Sequence, residues 1–146
     1  MDINQSVKRL RKYPIAVQKS TDKSMKKNSA RIAKMNVQQM EVGLKADGTY
    51  QDYYSDVSVS KYGKEPGYIK LKDTGKFHQG VTLKKEKQNE FLLTSKDNSY
   101  LSDVGQNKTE YLDFMYDPFG LTDSNLDITV DILYEDLYTD IKTLFV

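Results

Sequence analysis

The strongest pattern in the chain lies near its C-terminal end. Leu126, Val130, Leu133, Leu137, Ile141 and Leu144 recur at spacings of 4, 3, 4, 4 and 3. That is close to heptad periodicity and demands an amphipathic helix. Thr122 stands where a helix cap belongs, so the predicted helix spans 122–145. Ile128, Ile132, Tyr134 and Tyr138 widen its apolar surface beyond one stripe. A helix apolar on more than one side calls for cover on more than one side. The expectation is one contact with the chain's own sheet and another with a neighbouring subunit.

The remaining 120 or so residues have to supply that sheet from a thin apolar stock. The chain has 146 residues, 38% of them hydrophobic, with no Trp but 11 Tyr. This length fits one domain, 1–146, with one modest core. Tyrosine carries a large apolar body with a polar tip and is common at interfaces. There is no Cys, which excludes disulfides, thiolate metal sites and a cysteine nucleophile. No run approaches the ~18 apolar residues of a membrane span. The N-terminal stretch is basic but has no apolar core, so it does not read as a secretory signal. The expected location is the bacterial cytoplasm, or a particle built there.

The net charge of +1 hides a polarity. Residues 1–45 hold eleven Lys and Arg against three Asp and Glu, whereas residues 110–146 hold one Lys against nine Asp and Glu. A chain basic at one end and acidic at the other attracts copies of itself head to tail. Two solvated helix faces would give the same tally, and nucleic-acid contact by the basic end is a third reading.

Along the chain, residues 1–14 read as a basic arm that ends where Tyr13-Pro14 disfavours helical dihedrals. Residues 15–43 read as helical, with Met25, Ile32 and Met35 on one face, a restart capped by Asn36 with Gln39, and a stop at Gly43. Strands and a hairpin are expected over 49–96. Thr49 to Val59 reads as a strand or an extended loop. Phe77, Gln79, Val81 and Leu83 alternate with His78, Gly80, Thr82 and Lys84, and a charged loop at 84–90 leads to a return strand through Phe91, Leu93 and Ser95. Tyr111, Phe114, Tyr116 and Phe119 belong to an aromatic cluster that closes on Pro118-Phe119-Gly120.

Chemistry finds little footing. His78 is the only histidine, and it reads as an exposed strand residue with no nucleophile motif beside it. Asp123, Asp127 and Asp131 recur every four residues without His, as a solvated helix face does. There is no phosphate loop and no calcium loop. The single Asp73-Thr74-Gly75 lacks the second copy that an aspartic-protease site needs. The expectation is no catalytic residue, no metal and no cofactor.

Four segments in order carry a resemblance. They are Met35-Asn36-x-x-Gln39-Met40-x-x-Gly43 with Asp47-Gly48-Thr49, then Ile69 to Phe77 around Asp73-Thr74-Gly75, then Leu93-Thr94-Ser95-Lys96-Asp97, and last Pro118-Phe119-Gly120-Leu121-Thr122. Over roughly residues 20–146 this order resembles phage tail-completion and neck proteins, the group containing the Mu-type virion morphogenesis and lambdoid tail-component families. The chain departs from that pattern at Asp117, where Arg is common, and in Tyr111 to Asp117, where a Tyr-x-x-x-His-x-x-Gly stretch is usual.

The residues and the resemblance together predict an α+β domain. It has N-terminal helices, a small antiparallel sheet with a central hairpin, and a C-terminal amphipathic helix packed on the sheet. The resemblance implies a structural virion protein that forms a ring in the phage neck or at the end of the tail. Its partners would be copies of itself and other neck, portal or tail proteins, with packaged DNA near the channel and no membrane. Expected subunit contacts are Lys8, Arg9, Arg11 and Lys12 in the basic arm, and Tyr111, Phe114, Tyr116 and Phe119 in the aromatic cluster. Asp73, Thr74 and Gly75 form one expected rigid corner, and Pro118 with Gly120 the other. The rival readings are a small regulatory or adaptor protein that binds nucleic acid or one protein partner through its basic N-terminal segment, and an enzyme built on His78.

Overall fold

A computed structural model describes residues 3–72, 74–96 and 119–143, with backbone alone for 3–11. The class is α+β. In chain order the elements are α1 (Ile3–Lys27), α2 (Ser29–Glu41), α3 (Asp56–Tyr62), α4 (Lys76–Gly80), β1 (Val81–Lys87), β2 (Glu90–Ser95) and α5 (Asp123–Lys142).

The N-terminal third is a long helical rod, not an arm followed by a helix. Helix α1 runs through Pro14. Proline removes one ladder hydrogen bond, but Pro14 is exposed, so water can satisfy the carbonyl left over. The break falls at Asn28, eight residues before the expected restart at Asn36. Even there the ladder continues, because Asn28 N–H donates to Ser24 O at 2.9 Å and Ile32 N–H donates to Asn28 O at 3.0 Å. The expected stop is where it belongs: Val42 caps α2 and Gly43 follows at φ 76°. A side chain at Gly43 would place its Cβ 2.5 Å from Tyr68 Cβ, so glycine meets both a conformational and a spatial demand.

Between 49 and 62 the structure replaces the expected strand by two isolated bridges and a helix. Leu44 pairs with Tyr50, and Tyr53 with Tyr68. Ser55 then caps α3, its hydroxyl accepting Ser58 N–H, and Gly63 ends it in the left-handed region. The tyrosines of the bridges stack outside, Tyr50 on Tyr68 at 4.4 Å between ring centroids.

Among the described residues the sheet is the hairpin alone, β1 antiparallel to β2, with Val81 opposite Ser95 and Leu83 opposite Leu93. Its strands extend into the residues expected to be loop, leaving Gln88-Asn89 as the turn, with Asn89 at φ 62°. The expected start of the first strand is instead α4. Gly75 at φ 81° swings the chain inward, and Phe77 and His78 are then both buried. Adjacent residues in a strand point to opposite faces, so a strand with one wet face buries one of the pair. One helical turn buries both.

Among the described residues the core has two patches. Ile32, Ala33 and Met35 of α2 meet Leu93 of β2, flanked by Met25, Val81, Leu83, Phe119 and Leu121. Met40, Leu71 and Phe77 form the second, with Val81 and Phe119 bordering both. Phe119 and Leu121 thus anchor the entry to α5 on the α2–sheet layer, and α5 then runs back along α1.

Candidate functional site

Among the described residues the α1–α5 pair is the largest contact between helices, and its seam is polar. Ser24 Oγ donates to Asp136 Oδ2 at 2.5 Å, and Lys27 Nζ lies 2.6 Å from Asp136 Oδ1. Asn28 Nδ2 donates to the same carboxylate at 3.0 Å. Further along, Ser20 Oγ donates to Asp140 Oδ2 at 2.8 Å and Lys23 Nζ to Asp140 Oδ1 at 3.1 Å. Rising numbers on α1 meet falling numbers on α5, so the two helices are antiparallel. Ser20 and Ser24 are buried in this seam. Part of the charge polarity seen in the sequence is therefore satisfied inside one chain.

The seam holds its carboxylates in the charged form. Lys27, then Ser24 and to a smaller degree Asn28, hold the Asp136 carboxyl at about 2, below its ordinary 3.8. Ser20 and then Lys23 lower Asp140 in the same way. A carboxylate depressed on folding stabilises the fold above its unfolded pKa, and that contribution disappears as pH falls through the folded value. The helix pair is thus expected to weaken between about pH 4 and pH 2. Asp136→Asn should lower stability at pH 7 and flatten that acid limb. Urea denaturation followed by circular dichroism across this pH range measures both effects.

Using Asp136 and Asp140 for the seam turns other parts of α5 outward. At about 100° per residue, Asp127, Asp131, Tyr134 and Tyr138 lie roughly opposite the α1-facing row. Tyr134 is 67% exposed, Tyr138 60%, Val130 60% and Leu126 46%. Leu133, Leu137 and Ile141 of the heptad stripe are half-buried. Tyr134 and Tyr138 stack, with ring centroids 6.4 Å apart. Asp127, Asp131 and Glu135 are exposed and have no ion partner among the described residues. Helix α5 thus offers solvent a face of tyrosines, apolar side chains and carboxylates.

A clamp from α2 sets the direction of α5. Asn36 Nδ2 and Gln39 Nε2 donate to Gly120 O at 2.7 and 3.1 Å. Gln39 Oε1 accepts Thr122 N–H at 3.1 Å and also the Asn125 side-chain amide. Asn36 and Gln39 are buried. The pair read from sequence as a local capping box is a tertiary clamp instead. Thr122 occupies the N-cap position of α5, but its side chain makes no cap hydrogen bond. Gly120, at φ 141°, lies so close to Ala46 that a Cβ there would sit 2.5 Å from Ala46 Cβ.

His78 is buried, contrary to the exposed strand position expected for it. Its Nε2 is 2.8 Å from Lys70 O, a carbonyl that only accepts, so Nε2 carries the hydrogen. Burial pushes the imidazole below its ordinary 6.5, partly offset by that hydrogen bond. Nδ1 is buried without a hydrogen-bond partner. His78 also borders a shallow groove of about 530 Å³ with Lys34, Val37, Lys72 and Thr82. Among the described residues Glu41 is the one carboxylate lining the groove, and it is ion-paired to Lys72 at 3.2 Å. Among the described residues neither nitrogen of His78 reaches a hydroxyl. Among the described residues no group of three or more His, Cys, Asp or Glu is placed to hold a metal. No helix among them is long and apolar enough to cross a membrane.

The remaining sites expected from sequence are distributed as follows. Lys12 is exposed on α1, while Lys8, Arg9 and Arg11 are described in backbone only, within the same helix. Phe119 is half-buried and packs on Phe77 at 5.7 Å between centroids, within the chain. Gly75 has its positive φ, and Thr74 Oγ1 accepts Lys76 N–H at 3.4 Å. Asp73, Tyr111, Phe114, Tyr116 and Pro118 lie outside the described residues. The aspartates of the seam were missed as pairing groups because their partners lie more than a hundred residues away in the chain. Comparison with family models, curated proteins and solved structures finds no significant match to this chain.

Proposed function

We propose that this protein is a non-catalytic structural subunit of a bacteriophage particle, forming a ring in the neck or at the end of the tail. One observation carries the reading: α5 turns a tyrosine and apolar face outward although its polar row is already matched to α1. An unpaired apolar helix face of this kind is what a neighbouring subunit covers. The order of motifs from Met35 to Thr122 supplies the virion context, through its resemblance to tail-completion and neck proteins. The fixed entry angle of α5 suits the role, because small angular errors accumulate around a closed ring. Other neck, portal or tail proteins would border the ring, which would be assembled in the host cytoplasm.

Sedimentation of the purified chain over a concentration series, followed by negative-stain electron microscopy, tests this reading. The expected result is a closed annular particle. A chain that stays monomeric throughout, and that binds duplex DNA through its basic helix, would instead favour the adaptor reading.

A further inference from the structure

Two outer faces of the same chain are complementary. On α1, Lys12, Lys19 and Lys26 are exposed and spaced by seven residues, with Ile15 beside them at 59% exposure. At about 100° per residue this row lies roughly opposite Ser24, next to Lys23, whose side chain reaches over to Asp140 of α5. The hairpin does not take up the lysine row. It reaches α1 beside this row, through the Lys85–Asp22 ion pair and the packing of Met25, and leaves the three lysines exposed. The three lysines have no ion partner among the described residues, because Lys23 and Lys27 take the aspartates of the seam. On α5, the side turned away from α1 carries Asp127, Asp131 and Glu135 interleaved with Val130, Tyr134 and Tyr138. The helix pair is thus a slab with a basic outer edge and an acidic, aromatic opposite edge.

We propose that the lysine edge of α1 in one copy seats on the carboxylate and tyrosine edge of α5 in the next. Charge sign selects this occupant. Pairing α5 with another α5 would bring three carboxylates of each copy against each other, and like charges facing across an interface cost several kcal/mol. Pairing α1 with α5 matches lysines to carboxylates and lays ammonium groups against the tyrosine pair, a favourable cation–π arrangement. It also gives Ile15 an apolar partner. Because the two edges differ and lie on opposite sides, the contact is heterologous and repeats from copy to copy, closing as a ring if the rotation permits. This inference rests on the assembly reading and names the contact that builds it.

The test uses two charge-reversed full chains. One carries Lys12→Glu, Lys19→Glu and Lys26→Glu; the other carries Asp127→Lys, Asp131→Lys and Glu135→Lys. All six positions are exposed, and circular dichroism checks that each variant keeps its helices. Each variant alone should associate about a hundredfold more weakly than wild type in sedimentation at low salt. An equimolar mixture should assemble again, because each reversed edge then meets its opposite and each native edge meets a native one. Wild-type assembly should weaken as salt rises. If wild type assembles but either variant alone does so equally well, or the mixture stays dispersed, this contact is wrong while the assembly reading stands. A wild-type chain that never associates overturns the assembly reading itself. For a variant that fails to fold, the neutral set Lys12→Gln, Lys19→Gln and Lys26→Gln replaces it, with weakened wild-type-like association expected and unchanged association refuting the contact.

Discussion

Phe77→Ala should destabilise the fold by about 4 kcal/mol, because truncating a buried Phe removes its transfer free energy and leaves a cavity. Phe77 is 3% exposed and belongs to the patch with Met40 and Leu71. Its ring also meets Phe119, which borders both core patches. The loss therefore reaches the segment that leads into α5. A domain of this size has about 5–15 kcal/mol in total, so the variant should be near the edge of folding at 37 °C. Urea denaturation at pH 7 measures the change as a lower midpoint with an unchanged slope. A shift under 1 kcal/mol would mean that the α4 corner does not hold the core together.

Gln39→Leu is expected to cost about 3 kcal/mol, through unmade hydrogen bonds and not through lost volume. The substitution keeps a side chain of similar bulk in α2. It strands Thr122 N–H and the Asn125 amide, whose acceptor is Gln39 Oε1. Gly120 O keeps Asn36 but loses its second donor. Both bonds are part-buried, and a donor left there without an acceptor carries a desolvation penalty of about 1–3 kcal/mol. The thermal midpoint should fall by roughly 6–12 °C. The effect should also be local, because the clamp joins α2 to the start of α5. Amide exchange should rise most in 119–129 and least in the hairpin. Uniform loss of protection across the molecule would contradict a clamp confined to this corner.

The same residue shows why part of the fold was hidden in the sequence. Asn36 and Gln39 have the spacing of a local capping box, and their true partners lie 81 to 86 positions away. His78 alternates correctly for a strand, yet Gly75 turns the chain three residues earlier and His78 is buried in a helical turn. Ser55 and Gly63 did punctuate a helix, but the Tyr, Val and Ser between 49 and 59 carried the stronger β signal. Pro14 reads locally as a break, and its exposure lets the helix continue. For Asn36, Gln39 and His78 a local preference of about 1–3 kcal/mol yields to tertiary contacts, whereas at α3 a competing local cap decides and at Pro14 access to solvent does.

Features that depend on near neighbours alone were legible without coordinates: the amphipathic C-terminal helix, the end of the helical rod at Gly43, the hairpin through Leu83 and Leu93, the positive-φ corner at Gly75, and the basic and acidic ends. They follow from residue period, backbone sterics and charge count, which short stretches of chain specify. The tertiary structure decided which side of α5 meets α1. Burying a polar row there requires every member to find a partner, and only Ser20, Lys23, Ser24, Lys27 and Asn28, brought alongside by folding, supply them. With those residues matched to Asp136 and Asp140, the tyrosine and carboxylate face has nowhere to point but outward.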